Sequence, residues 1–261
     1  MHSRLLSAAL LAVSTHFAPL ASAQRGQAPK NGREVLEAMR AAYDGKWYHT
    51  LTFTQKTTTR AQDGSERVAT WLEALSHTGA GTHLRIDFGD LKDGNGVIYT
   101  PDSSWRIRGG KAGPPSADGN PFLPLIEGVY VQPVDRTIKE LASTKVDVSK
   151  MYQTKVQGVN TWVVGASSAA DSTSPQFWVD ADRKLLTRMI LTLAPNRPPY
   201  DIHLEKYERA GDGWLATKIM MYSGGVLQQG EEYSDWKVGM TLDPALFDPA
   251  KFTTVKHWSV K

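Results

Sequence analysis

The chain predicts a mainly β fold of the α+β class: one antiparallel sheet, curled into a barrel or an open half-barrel, with few helices. Three observations carry this. Apolar and polar residues alternate with a period of two in run after run between Trp47 and Val238. Turn-forming clusters such as Asp63-Gly64, Gly211-Asp212-Gly213 and Gly224-Gly225 separate those runs at even spacing. Helical spacing is confined to short segments.

The first element is an export signal rather than part of the fold. Residues 1–23 carry Arg4, then the apolar run Leu5 to Val13, then Ala21-Ser22-Ala23. That order is expected of a signal peptide cleaved between Ala23 and Gln24, and the run is shorter than the roughly 20 residues that span a bilayer. With no cysteine in the 261 residues, no thiol is present to carry an N-terminal lipid, a disulfide or a thiolate metal site. Residues 24–30 read as a flexible lead-in, and 31–261 as a single domain. The net charge of +3 is spread along the chain without a basic block, which argues against nucleic acid as a partner.

The domain opens with a helix. Asn31 and Glu34 fit a capping box, Val35, Leu36, Met39 and Tyr43 form an apolar stripe, and Asp44-Gly45 ends it. Strands follow. WYHTLTFTQKTTTR places Trp47, His49, Leu51 and Phe53 on one face, and ERVATWLEALSH and THLRIDFG come next, the last with Leu84, Ile86 and Phe88 on one side. NGVIYT and SSWRIR form a hairpin about Pro101-Asp102. Residues 109–121 are a Gly/Pro-rich loop long enough to be functional or disordered. PFLPLIEGVYVQPVDRTIKELAST breaks the rhythm with a dense apolar cluster and a second short helix. The alternation then resumes: KMYQTKVQ with NTWVVGAS through Gly158-Val159-Asn160, QFWVD with KLLTRMILTL through Ala181-Asp182-Arg183, and three more strands to Val238. Asp243 caps a short helical turn begun by Pro244.

Few residues suggest catalysis. Asp180 and Asp182 could be a D-x-D metal site, but they sit between hydrophobic strands with no acidic loop to complete a coordination shell, so a hairpin tip is expected and no metal. Asp201, His203 and Glu205 share a strand face. They could in principle do acid–base work as a hydrolase, although alternation alone makes a solvated face. His83, Arg85 and Asp87 repeat the pattern. No G-x-S-x-G, H-E-x-x-H or phosphate-binding glycine loop is present, so neither catalytic residues nor a cofactor is expected.

The surplus lies elsewhere. Eight tryptophans, most of them in strands, exceed what polar surfaces need. A curved sheet with few helices must fill its concave face with those helices or with an apolar ligand.

The order of these pieces, from FTQKTTTRAQDG through LRIDFG, VIYTPDSSWRI, NPFLPLIEG, QFWVDADRKLLTRM and GWLATKIMMYSGG to LDPALFDP, resembles the LolA/LolB-like superfamily of outer-membrane lipoprotein-sorting carriers over residues 31–252. The resemblance implies an incomplete barrel with helices lidding its concave face, a periplasmic location and no catalysis. It also implies a cavity for a lipid or the acyl chains of a lipoprotein. Expected partners are those chains, an inner-membrane donor and an outer-membrane acceptor, with the chain itself a monomer. The lid would come from residues 121–143, with Phe122, Leu123, Leu125 and Ile126 pointing inward. The sheet would supply Phe53, Leu84, Ile86, Trp105, Trp178, Leu186, Ile219 and Met221. Carriers of this kind couple lid opening to loading through an arginine, for which Arg60 and Arg85 are both candidates. The same fold also serves sensors and protein-interaction modules, which is the alternative function.

Overall fold

The computed structural model describes residues 28–61, 63–193 and 197–260. The signal segment 1–23 and most of the lead-in lie outside the described residues. One antiparallel sheet of 13 strands dominates, in the spatial order β6-β5-β4-β3-β2-β1-β13-β12-β11-β10-β9-β8-β7. The strands are β1 (Thr50–Arg60), β2 (Glu66–Thr78), β3 (Gly81–Phe88), β4 (Gly96–Tyr99), β5 (Ser104–Arg108), β6 (Lys111–Ala112), β7 (Met151–Val156), β8 (Val159–Val164), β9 (Gln176–Asp180), β10 (Leu185–Leu191), β11 (Tyr200–Ala210), β12 (Gly213–Ser223) and β13 (Val226–Val238). Every neighbour is sequential except β1 and β13, whose pairing brings the two halves of the chain together. β6 and β7 do not pair, so the barrel is incomplete.

Turn chemistry sets the hairpins. β7 and β8 join through Gln157 and Gly158, both at positive φ, as a two-residue primed turn requires; the turn is therefore shorter and earlier than Gly158-Val159-Asn160. Gly224 and Gly225 do the same between β12 and β13. The Gly/Pro-rich segment 109–121 folds back on the sheet. Its first residues form β6, Ser116 bridges to Ser104, and Gly113-Pro114-Pro115 lie between.

Helix α1 (Gly32–Ala42) begins at Asn31, whose side chain accepts from the Glu34 amide at 3.0 Å, while Glu34 accepts from the Lys30 amide at 2.8 Å. Its stripe of Val35, Leu36 and Met39 is fully buried. Gly32 lies so close to β8 that an added Cβ would stand 2.4 Å from Val164, and its amide donates to Val148 at 2.7 Å. α1 therefore sits against the β7–β10 half of the sheet. The lid starts as a π-helical turn (Pro124–Gly128), continues in α2 (Val129–Val131) and ends in α3 (Val134–Leu141).

Two face assignments change. β1 starts only at Thr50, so Trp47 and Tyr48 are both buried beneath the lid and His49 is exposed. Arg85 and Asp87 are not solvated: each is 2% exposed, because the C-terminal segment crosses the outer face of β2–β5. Arg85 grips Asp87 through two hydrogen bonds of 2.7 Å, donates to the Phe252 carbonyl at 2.9 Å and lies over the Phe252 ring. His257 Nε2 stands 3.1 Å from the same carboxylate. A strand pattern cannot reveal a cover supplied by residues 160 positions later.

Removing Arg85 leaves Asp87 buried and poorly paired, a change that costs roughly 3–5 kcal/mol. Arg85→Ala is expected to lower the urea midpoint accordingly and to release the tail, read as new proteolytic cleavage after residue 240. Unchanged stability would show that the tail is not held by this pair.

Candidate functional site

The two halves of the sheet differ in what covers them. Over β7–β10, α1 and the lid helices fill the concavity. Under β1–β5 and β11–β13 they do not, and a cavity of about 380 Å³ remains. Its walls are mostly apolar, with Trp71, Phe88, Tyr99, Ile202 and Leu215 among them, and the start of the lid forms one side of it.

Eight of the residues expected at such a site meet there. Phe53 on β1, Leu84 and Ile86 on β3, and Ile219 and Met221 on β12 face the cavity from the sheet, and Phe122, Leu123 and Ile126 face it from the lid. The other four lie elsewhere. Leu125 and Leu186 are fully buried in the packed core. Trp178 is on the outer face, its indole donating to Gln176 at 2.9 Å and the Arg188 guanidinium stacked over it at 4.4 Å. Trp105 also points outward, against Ile98, Ile107 and Phe252; on β5 it is Arg106 that lines the cavity. A shift of one residue on a five-residue strand reversed that assignment.

A polar knot fastens the lid. Glu127, buried at the end of the cavity, accepts from the Trp47 indole at 2.9 Å and the Tyr48 hydroxyl at 2.7 Å, and His77 Nε2 lies 3.3 Å away. Burial first, and then the Glu127 carboxylate, hold the Tyr48 hydroxyl well above its ordinary pKa, so it stays a donor. Tyr130 stacks on Trp47 with centroids 3.8 Å apart, and Arg40 on α1 donates to the Tyr130 carbonyl at 3.0 Å. Neither Arg60 nor Arg85 touches the lid: Arg60 is exposed at the β1–β2 turn, and Arg85 is on the outer face.

Beyond the lid lies a second, more polar cavity of about 430 Å³, between the β4–β5 hairpin and the end of α3. Tyr99, Asn120, Leu123 and Leu193 belong to the walls of both.

Two carboxyls inside the apolar cavity were missed from the sequence. Glu73 on β2 and Glu231 on β13 face inward and are 6% and 7% exposed. Glu231 accepts from the Tyr233 hydroxyl at 2.8 Å and the Gln229 amide at 2.7 Å. Glu73 has no hydrogen-bond or ion-pair partner among the described residues. Burial, reinforced by the Glu231 charge, pushes the Glu73 carboxyl well above the usual range. Burial also raises Glu231, against the pull of its two donors. The signal was available: Glu73 stands two residues from Trp71 and two from Leu75, on the same apolar face.

The catalytic candidates resolve into structural roles. Asp180 Oδ1 accepts from the Asp182 and Arg183 amides, both at 2.9 Å, and Oδ2 from Arg183 Nε at 2.7 Å. Burial raises this carboxyl, but those donors outweigh it and leave it lowered. The pair is a hairpin tip. Asp201 is clamped by Arg188 at 2.6 and 2.7 Å, with His203 Nε2 at 2.9 Å, and Glu205 pairs with Lys218 at 3.1 Å. Burial opposes the charge on Asp201, yet His203 and Arg188 bring its pKa down to about 2. Asp201 and His203 line a shallow outer cavity of about 430 Å³ with Pro198, Pro199 and Tyr222, and within it Asp201 is engaged as an ion-pair partner. Among the described residues, no set of three His, Asp or Glu side chains converges as metal ligands, and no helix is long and apolar enough to cross a membrane.

A buried carboxyl whose folded pKa is raised binds its proton more tightly folded than unfolded, so it destabilises the protein as pH rises from about 4.3 toward the raised value. Glu73→Gln is expected to increase the urea midpoint at pH 8 and to leave it unchanged at pH 4. A loss of stability at pH 8 would mean that Glu73 is paired in solution.

No protein-family model matches the chain, and no curated protein sequence matches it. Solved structures do. A putative outer membrane lipoprotein-sorting protein domain from Vibrio parahaemolyticus superposes with a TM-score of 0.56 at 13% identity, over 85% of this chain and 98% of that one. A DUF1329 family protein from Desulfovibrio piger gives 0.55 at 13% identity, over 83% and 95%. A LolA superfamily protein from Nitrosomonas europaea gives 0.50 at 12% identity, over 81% and 96%. At such identities the likeness concerns the backbone, and what it establishes is that this chain has the fold of the LolA-like lipoprotein-sorting proteins.

Proposed function

We propose that the protein is a periplasmic carrier that holds a lipid, or the acyl chains of a lipoprotein, between the β1–β5/β11–β13 half of its sheet and its lid. The observation that carries this reading is the cavity: about 380 Å³, mostly apolar, bordered by lid residues that are themselves only half-buried. Phe122, Leu123 and Ile126 line it, while the stretch from Glu127 to α3 is pinned by the Glu127 knot and by the Arg40 and Arg33 contacts. Loading therefore requires the first turn of the lid to move, not the whole helix pair.

Each methylene taken from water into the cavity contributes about 0.8 kcal/mol, so ten give on the order of 8 kcal/mol. That is ample to displace three half-buried side chains. A neighbour in fold described as a putative outer membrane lipoprotein-sorting protein domain is in keeping with this cargo class. Export by the N-terminal signal would place the chain between an inner-membrane donor and an outer-membrane acceptor. Release then needs a partner that competes for the chain or the lid. No catalytic step is required.

Native mass spectrometry of protein purified from a periplasmic fraction is expected to show a stoichiometric acylated adduct. Ile126→Asp at the lid and Ala216→Trp in the cavity floor should each abolish it while the fold is retained by circular dichroism. A bare polypeptide mass, with no uptake of added phospholipid, fatty acid or lipopeptide, would overturn the proposal.

A further inference from the structure

The two inward carboxyls have no structural task that explains them. A carboxyl buried in an apolar wall is costly unless paired, and Glu73 has no partner among the described residues. Lid fastening does not use it; that falls to Glu127. The register shows what surrounds it. Glu73 sits opposite Phe53 on β1 and Ile86 on β3, and the same row runs on through Val97 on β4 to Arg106 on β5. Arg106 is three strands away, roughly 14 Å at the usual strand spacing, and cannot neutralise it. Glu231 lies on β13, across β1 from β2, opposite Thr57 and so four positions along β1 from Phe53, the neighbour of Glu73. Among the described residues the cavity thus has a carboxyl on β2 without a paired cation and a basic residue, Arg106, on β5 next to the edge strand.

Taking the lipid-holding cavity as given, we propose that Glu73 seats a positively charged amine of the bound amphiphile inside the cavity. An ammonium group supplies the missing counter-charge and up to three hydrogen-bond donors, and Glu73 has free acceptor positions to receive them. Glu231, already accepting from Tyr233 and Gln229, is held in place by them. The hydrocarbon of such a ligand runs along the Ile86–Val97 row toward the lid. A carboxylate head is repelled from this end and drawn instead to Arg106 at the rim.

The test is isothermal titration of the purified full-length mature protein with dodecylamine, dodecanol and dodecanoate at pH 7.5, each below its aggregation concentration, in wild type, Glu73→Gln and Glu231→Gln. Dodecylamine is expected to bind wild type most tightly and to weaken roughly tenfold or more in Glu73→Gln, the loss of one buried charge-assisted pairing. Dodecanol should change less than twofold, and dodecanoate should hold or tighten. Glu231→Gln should weaken dodecylamine less than Glu73→Gln does, since Glu231 is two strands away and already hydrogen-bonded. If Glu73→Gln leaves dodecylamine unchanged, or weakens dodecylamine and dodecanol alike, the amine seat is wrong while the cavity stands. Binding of dodecanol and dodecanoate without dodecylamine has the same meaning. If none of the three binds wild type, the carrier reading falls and the amine seat with it.

Discussion

A curled sheet that stops short of closing has more concave face than its own side chains can fill, and every other feature of this protein answers that constraint. Among the described residues, an eleven-residue helix and a broken lid are what covers it. They are spent on one half, where Gly32 allows α1 to approach β8 within side-chain contact. The other half is left to a cavity. The fold thus divides into a packed side, which supplies rigidity, and a hollow side, which supplies capacity, joined by the pairing of β1 with β13.

The lid is divided in the same way. Glu127 stands at the boundary. Its carboxylate gathers donors from the segment between α1 and β1, with His77 at the end of β2 beside it, so one buried acid ties three parts of the chain to one point. A buried charge needs such company to be tolerated. Of the residues just before it in sequence, Leu125 is fully buried in the core, while Phe122, Leu123 and Ile126 are apolar and partly exposed. A closed cavity and an accessible one differ by the position of a few such side chains, and the anchored remainder of the lid preserves the fold while they move.

Much of this was legible in the sequence, for identifiable reasons. Alternation and turn residues report local geometry, and they placed the long strands, the hairpin tip at Asp180 and the caps at Asn31 and Asp243 within a residue or two. The failures share a different cause. Leu186 belongs to a strand of the filled half, and which half α1 covers is decided by tertiary packing; Trp178, on a five-residue strand, faces outward, with Phe177 and Val179 turned to the core. Arg85 and Asp87 look solvent-facing until the tail arrives from the far end of the chain. Trp105 was reversed because a short strand gives too few alternations to fix its register. Glu73 was overlooked because a polar residue on an apolar face reads as noise unless its setting is known.

The Gly/Pro-rich stretch after β5 has a role that its composition alone did not disclose. An unclosed sheet presents two free edges, and an edge is a template on which another chain can polymerise. Here one border strand is only two residues long, begins with a lysine and runs into Gly113-Pro114-Pro115, where two successive positions lack an amide hydrogen. The segment is a stopper: it ends the ladder before a neighbouring molecule can extend it. A sheet that does not close on itself is thereby kept from opening onto copies of itself at that border.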